Sequence, residues 1–109
     1  MTTIEVRDVP DEQRYEARID GDLAAFLEYR LAGTQIVLIH TEVDPAFGGR
    51  GVGSAIARGA LDDVRARGLR VIAECTFVAG WIAKHDDYAD LVDGAVEGAV
   101  EGEAVTTAP

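Results

Sequence analysis

The chain has 109 residues with 20 acidic and 10 basic side chains, a formal net charge of −10 at pH 7. This surplus argues against a nucleic-acid partner, because such proteins need excess Lys and Arg to displace phosphate counterions. The length fits one domain, no stretch reaches the ~20 apolar residues of a membrane span, and the N-terminus lacks a signal-peptide pattern. With a single cysteine, which can form no internal disulfide, these features predict a cytoplasmic protein without a membrane partner.

The first half of the chain is typical of antiparallel strands. Strand patterns cover RYEARID (14–20), LAAFLEYRLA (23–32) and TQIVLIHTEV (34–43), with a further short one in TIEVRDV (3–9). Turn signals separate them at Asp20-Gly21-Asp22 and at Gly33-Thr34. The second segment also contains helix formers, but its flanking turns and its aromatics favour a strand. The pattern predicts an antiparallel meander.

After the glycine-rich stretch, apolar residues no longer alternate with polar ones but recur at the spacing of a helix. The apolar stripe is formed by Val52, Ala55, Ile56, Gly59, Ala60 and Val64. Gly68 is the expected end of this helix, LRVIAEC (69–75) is typical of a strand, and FVAGWIAKH (77–85) predicts a short helix. A strand, a helix and a strand in this order place the two strands parallel. The expected fold is α/β, a mixed sheet in which a meander precedes a βαβ unit and a short C-terminal helix.

The last segment differs from the rest of the chain. DGAVEGAVEGEAVTTAP (93–109) repeats Gly-Ala-Val-Glu and contains acidic residues but no aromatic or basic ones. This composition is typical of a disordered acidic tail. We therefore expect one folded domain over residues 1–92, followed by a tail over 93–109.

The segment DPAFGGRGVGSA (44–55) has the features of an anion site. Its glycines allow the backbone to approach a ligand, and the helix that follows begins with unpaired N–H groups. A nucleotide-triphosphatase loop would need a lysine after the glycines, and a dinucleotide loop would need Gly or Ala where Ile56 stands. A tight turn before a helix is the alternative. We expect a phosphate or diphosphate here, held by local geometry despite the negative net charge.

The stretch from His40 to Cys75, HTEVDPAFGGRGVGSAIARGALDDVRARGLRVIAEC, resembles the coenzyme A region of the GNAT superfamily of N-acetyltransferases. That family places a Q/R-x-x-G-x-G/A loop between a strand and a helix. Residues 49–53 match its latter part, whereas Gly48 stands where Gln or Arg is usual, a loss for which Arg50 can compensate. With CTFVAGWIAKHDDY (75–88), the resemblance extends over Arg14–Leu91 and indicates a small, single-domain branch.

The resemblance implies acetyl-CoA as cofactor, bound where the two parallel strands diverge. The loop would hold its diphosphate, and backbone groups near Glu42 and Val43 would pair with its pantetheine arm. The cofactor-binding residues implied are Glu42, Val43, Gly48, Gly49, Arg50, Gly51, Val52, Gly53, Ser54, Lys84 and His85. No metal is expected. The chain is too short for the helices that usually wall the acceptor pocket, so an open acceptor site is implied.

Two chemical routes remain open at this stage. In direct transfer a base deprotonates the attacking amine, and His40 and Glu42 share one face of their strand. In the covalent route Cys75 accepts the acetyl group first, since a helix N-terminus and a nearby histidine both favour the thiolate. Many family members use a tyrosine as general acid where this chain has Trp81, and an indole delivers no proton at neutral pH. Tyr88 is the candidate substitute.

The expected function is transfer of an acetyl group to a small-molecule or peptide amine, directly or through Cys75. An acidic surface would attract a cationic acceptor. We expect a monomer or a small homo-oligomer. The alternative is a module that binds coenzyme A or acyl-CoA without turning it over.

Overall fold

Five strands form one sheet whose spatial order follows the sequence. The computed structural model describes residues 3–93. The strands are β1 (Ile4–Val9), β2 (Arg14–Ile19), β3 (Asp22–Ala32), β4 (Gln35–Val43) and β5 (Arg70–Ala73). The first four pair antiparallel, and β5 pairs parallel with β4. The predicted meander and the predicted parallel pair are both confirmed.

Backbone conformation explains why the meander turns where it does. Asp20 and Gly21 both have positive φ, 52° and 86°, which is the conformation of a tight two-residue hairpin. Gly33, at φ 66°, occupies the corresponding place between β3 and β4. The segment with mixed helix and strand signals is strand β3, because both of its ends are fixed by these turns.

Two helices follow, α1 (Val52–Ala66) and α2 (Thr76–Ala83). Short 3-10 turns occur at Pro10–Glu12, Pro45–Phe47 and Asp86–Leu91. The buried face of α1 consists of Val52, Ile56, Ala57, Ala60, Leu61 and Val64. The predicted stripe omitted Ala57 and Leu61 and included Ala55 and Gly59, which are only partly buried. Gly68 lies just past the helix at φ 70°, and this left-handed residue ends it as expected. In residues 3–93 no helix is both long and apolar enough to cross a bilayer.

One hydrophobic core joins α1, α2 and the sheet face they cover. The opposite face is polar where β2 crosses it. There Glu16 is only 5% exposed and forms ion pairs with Arg14 and Arg18 at 2.7 and 2.9 Å. The Arg14 guanidinium, helped by Arg18, holds the pKa of the Glu16 carboxyl below its usual range. The meander therefore presents one apolar and one charged face.

Asp93, which the sequence analysis assigned to the tail, is hydrogen-bonded to residues of the sheet. The Asp93 carboxylate accepts hydrogen bonds from Gln35 and Arg70, and the Asp93 N–H donates to the Val71 carbonyl at 2.7 Å. Asp93 therefore belongs with the sheet. The remainder of the predicted tail, 94–109, lies outside the described residues.

Gly59 is required where α1 crosses β1. A Cβ at this position would lie 2.8 Å from the Cβ and Cγ1 atoms of Val6, closer than such atoms approach. We expect Gly59→Ala to lower the free energy of unfolding by about 1–2 kcal/mol, because overpacking outweighs the gain in helix propensity. Denaturant unfolding measures the change.

Gly80 provides the matched control. It lies inside α2 with nothing within 4 Å of an added Cβ, so Gly80→Ala should raise the free energy of unfolding by about 0.5–1 kcal/mol. Equal effects of the two substitutions would contradict the packing assigned to Gly59.

Candidate active site

The candidate cleft of this fold lies where the pairing of β4 with β5 ends. The two strands pair only as far as Leu38 and Ala73, and the Cys75 N–H then donates to the Leu38 carbonyl at 2.8 Å. From there β4 continues to Val43, and no described strand pairs with this edge. The parallel pairing therefore ends before β4 does, with Cys75 just beyond its last pair, and the binding of a cofactor at this place stays a prediction.

The glycine loop connects β4 to α1 at one side of this cleft. Asp44 begins it by accepting a hydrogen bond from the Ala46 N–H at 2.9 Å. Gly49 and Gly51 have φ of 77° and 76°, whereas Arg50 between them has no positive φ. This alternation turns successive N–H groups towards one side of the loop, the arrangement called a nest. Gly51 is also the N-cap of α1.

Six successive N–H groups of the loop and the first helical turn have no hydrogen-bond acceptor among the described residues. They belong to residues 49–54, whereas the neighbouring N–H groups of Gly48 and Ala55 are bonded to the Pro45 and Gly51 carbonyls. Partial positive charge accumulates at such a helix start. An added Cβ at Gly49 or Gly51 would meet nothing within 4 Å, so the space beside the loop is open. Donors and space together fit an anion.

Cys75 lies at the start of α2, on the core side of the sheet. It is 5% exposed, and its Sγ lies 3.2 Å from the Thr41 hydroxyl oxygen. Thr41 pairs with the buried Leu27, which places both on the core face of the sheet. His40 was the histidine expected near this thiol, but the residue whose side chain contacts it is Thr41.

His40 and Glu42 occupy the opposite face of β4 and contact each other, as expected from their spacing. His40 Nε2 lies 3.1 Å from a Glu42 carboxylate oxygen, and their side chains are 51% and 62% exposed. A carboxylate only accepts, so in the neutral ring Nε2 carries the proton and Nδ1 keeps its lone pair. His40 is therefore a solvent-accessible base and not a core histidine.

Trp81 joins α2 to the first turn of α1. Its indole Nε1 donates to the Ser54 hydroxyl oxygen at 2.8 Å. The His85 ring stacks on the indole with centroids 3.7 Å apart, while His85 Nδ1 donates to the Trp81 carbonyl at 2.7 Å. The predicted phosphate ligand His85 is thus linked to the glycine loop through Trp81. Lys84 lies at the exposed end of α2.

The structure places Tyr88 away from the apex of the cleft. Its hydroxyl donates to Asp62 at 2.6 Å and accepts from Arg58 at 3.1 Å, beside the middle of α1. The hydrogen bond to Asp62, together with burial, raises the pKa of Tyr88. Tyr88 therefore has a structural position, and the suggestion that it replaces the usual tyrosine acid has no support in this geometry.

Apolar surface and a small cavity border β4. Four large apolar side chains are exposed within residues 3–93, and three of them, Ile39, Val43 and Phe77, belong to β4 or to the first turn of α2. A cavity of about 270 Å³ lies between the ends of β3 and β4. Its lining comprises Leu23, Ala24, Ala25, Phe26, Glu42, Val43, Asp44 and Pro45. Two predicted site residues, Glu42 and Val43, are therefore at a concave surface.

Sequence reasoning missed two contacts of the site. No sequence pattern marks Thr41 as a site residue, although it lies inside the HTEV segment, because its contact with Cys75 depends on how β4 and α2 pack together. The bond from Trp81 to Ser54 joins residues 27 positions apart, and no spacing rule connects them. In residues 3–93, no group of three His, Cys, Asp or Glu side chains is placed to hold a metal.

Comparison with known proteins agrees with the geometry. Residues 14–91 match the family described as GCN5-related N-acetyl-transferase. The chain is 34% identical over 76 residues to protein NATD1 of Bos taurus, covering 67% of this chain and 66% of that protein. It is 35% identical over 80 residues to protein NATD1 of Mus musculus, covering 69% and 72%. The match thus spans about two thirds of the bovine relative.

Solved structures give the same fold. The solution structure of a GCN5-like protein from Staphylococcus aureus aligns with TM-score 0.65 and 26% identity, over 88% of this chain and 94% of the other. The ribosomal-protein-S18-alanine N-acetyltransferase of Escherichia coli aligns with TM-score 0.55 and 19% identity, over 67% and 66%; this second likeness concerns the fold alone. With the parallel β4–β5 pair, the glycine loop and a family match over residues 14–91, the chain belongs to the GCN5-related N-acetyltransferase family.

Proposed function

We propose that the protein transfers an acetyl group from acetyl-CoA to an amine, with the cofactor diphosphate held by the glycine loop. The observation that carries this proposal is the run of six unpaired N–H groups at residues 49–54. Each charge-assisted hydrogen bond contributes about 1.5–3 kcal/mol, and a micromolar ligand needs only about 8 kcal/mol. Local donors can therefore outweigh the charge of −10 on the chain.

The rest of the cleft suits the other parts of the cofactor. The edge of β4 beyond Leu38 offers free backbone groups, and Ile39 and Val43 add exposed apolar surface for a pantetheine arm. Arg50 is exposed in the loop and can approach a phosphate. The bound thioester would supply an activated acyl carbon at the end of this arm.

His40 is the base that the geometry favours for direct transfer. Its Nδ1 lone pair is accessible, and Glu42 at 3.1 Å from Nε2 holds the ring in that tautomer. Nδ1 would take one proton from the acceptor ammonium, leaving the neutral amine as the nucleophile, and Glu42 would then face a positively charged imidazolium. The carboxylate therefore orients the ring of the base, as a carboxylate does in the Ser-His-Asp triad.

Cys75 is less well placed for the covalent route. Its thiol is 5% exposed, lies on the core face beside Thr41, and is separated from His40 by the strand itself. Cys75 is the N-cap of α2, and a helix N-terminus favours the thiolate, but a nucleophilic thiol is also activated by a neighbouring base or positive charge. The contact at 3.2 Å is a threonine hydroxyl, which is neither. We therefore assign Cys75 to the wall of the cleft and His40 to the proton transfer.

A cationic amine is the acceptor class that the charges favour. Glu42 and Asp44 bring two carboxylates to the cavity of about 270 Å³, and Phe26 lies beside them. Carboxylates attract an ammonium group, whereas the Phe26 ring already has the Arg14 guanidinium over one face, 4.8 Å from its centroid. A small-molecule amine or a lysine side chain fits this description.

Release of coenzyme A thiol tests the proposal. The chain is incubated with acetyl-CoA and a panel of polyamines, lysine and peptides, and free thiol is followed against protein-free controls. We expect release that depends on both the protein and a cationic amine, together with binding of coenzyme A measured by calorimetry. Absence of calorimetric binding would refute the assigned cofactor.

A binding module without turnover is the second candidate, and one observation favours it. His40 and Glu42 are 51% and 62% exposed, so the described residues do not enclose a reaction there. Binding of acetyl-CoA with no thiol release for any amine would support this candidate over the transferase.

A further inference from the structure

Trp81 is the only tryptophan in the chain, and it contacts the anion site from a different helix. Its side chain belongs to α2, is 6% exposed, and reaches the third residue of α1, where Nε1 donates to the Ser54 hydroxyl oxygen at 2.8 Å. The distance and the burial define a well-made hydrogen bond. Nothing in the proposed chemistry uses this bond.

The neighbours of the indole hold it in one orientation. His85 stacks on the ring with an interplanar angle of 11°, and the Arg58 guanidinium lies 5.2 Å from the ring centroid. The Tyr88 ring is tilted against it at 5.3 Å. With three groups around it, the ring has little rotational freedom, so the direction of its N–H is fixed by packing.

This fixed donor determines what the Ser54 hydroxyl can do. An indole N–H only donates, whereas a serine hydroxyl can donate once and also accept. Since the oxygen of Ser54 accepts from Trp81, its own proton must point elsewhere. Side chains of a helix lean towards its N-terminus, so the hydroxyl of Ser54 is at the same end of α1 as the unpaired N–H groups of residues 49–54.

We propose that Trp81 is a positioning residue, which holds the Ser54 hydroxyl as a further hydrogen-bond donor of the anion site. The resemblance to the family implied a proton-donating tyrosine at this place, and an indole cannot act in that way. In this chain the position serves cofactor binding instead of proton transfer. The inference rests on the proposed function to the extent that a diphosphate occupies the glycine loop.

A double-mutant cycle on ligand binding tests it. Affinities for coenzyme A and for inorganic pyrophosphate are measured by calorimetry for wild type, Ser54→Ala, Trp81→Phe and the double variant. We expect Ser54→Ala to weaken binding about tenfold, the value of one hydrogen bond to a charged group. Trp81→Phe should weaken binding about threefold to tenfold in wild type, and change it less than about twofold in the Ser54→Ala background. Equal effects in both backgrounds would overturn the positioning role.

A spectroscopic measurement that does not need the Trp81→Phe variant tests the proposal even if that variant is destabilised. The chain gives a single indole N–H signal in an amide correlation spectrum. We expect this signal to move when Ser54 becomes alanine, and to respond to added pyrophosphate in wild type but not in Ser54→Ala. An unchanged signal in Ser54→Ala would overturn the proposal, whatever the stability of Trp81→Phe.

The two ligands separate failure of this inference from failure of the proposed function. Binding of pyrophosphate with the expected coupling, but none of coenzyme A, would support the role of Trp81 and refute the cofactor. Binding of coenzyme A with additive effects of the two substitutions would support the cofactor and refute the role of Trp81. Binding of neither ligand would refute both.

Discussion

Replacing Gly51 with valine is expected to abolish coenzyme A binding while the chain remains folded. Gly51 has φ of 76°, a conformation that β-branched residues avoid, and it is the N-cap from which α1 starts. Valine would pull this residue out of the left-handed region, and the N–H groups of residues 49–54 would no longer point to one side. Loss of two charge-assisted hydrogen bonds lowers affinity about 100-fold or more. Calorimetry with coenzyme A measures this effect.

Gly33→Val is the matched control for this substitution. Gly33 also has positive φ, 66°, and an added Cβ there also meets nothing within 4 Å. It lies in the turn before β4, whereas the glycine loop follows the other end of that strand. Both variants should lose about 1–2 kcal/mol of stability from backbone strain, but Gly33→Val should bind coenzyme A like wild type. Wild-type affinity in Gly51→Val, or equal losses in both, would refute the assigned anion site.

The fold could be predicted from the sequence because its turn residues, its strand patterns and its helical periodicity favour the same arrangement. The turns at Gly21 and Gly33 require positive φ, and strands of alternating residues lie between them. The change to helical period after the glycine loop, followed by a β-branched segment, left the parallel pairing of β4 and β5 as the natural arrangement. The glycine loop was predictable for a related reason, since closely spaced glycines before a helix allow the positive φ that Gly49 and Gly51 adopt.

The site could not be completed from the sequence because β4 contains a bulge. Strict alternation would put Leu38 and His40 on the same face, but Leu38 pairs with Tyr29 and His40 with the adjacent Glu28. Ile39 is the extra residue, so the strand reverses which side chains face the core. As a result Thr41, not His40, meets Cys75. The bulge therefore puts His40 and Cys75, the candidates for the two chemical routes, on opposite faces of the strand.

His40→Ala is expected to lower kcat/KM for amine acetylation about 10²–10⁴-fold at pH 7, the usual contribution of a general base. The histidine is 51% exposed, so the substitution should leave folding unchanged. The residual rate should rise at higher pH, because more of the amine is then already deprotonated. Steady-state release of coenzyme A thiol from pH 6 to 9 measures both effects, once an acceptor amine has been found.

Cys75→Ala distinguishes this route from the covalent one. The thiol is buried beside Thr41 on the core face, across the strand from the His40–Glu42 pair. We therefore expect Cys75→Ala to retain kcat/KM within about threefold, and wild type incubated with acetyl-CoA alone to show no one-acetyl mass increase. An inactive Cys75→Ala, together with an acetyl adduct on wild type that this variant lacks, would transfer the chemistry from His40 to the thiol. In that case the bulge at Ile39 would affect the shape of the site but would not position its reacting group.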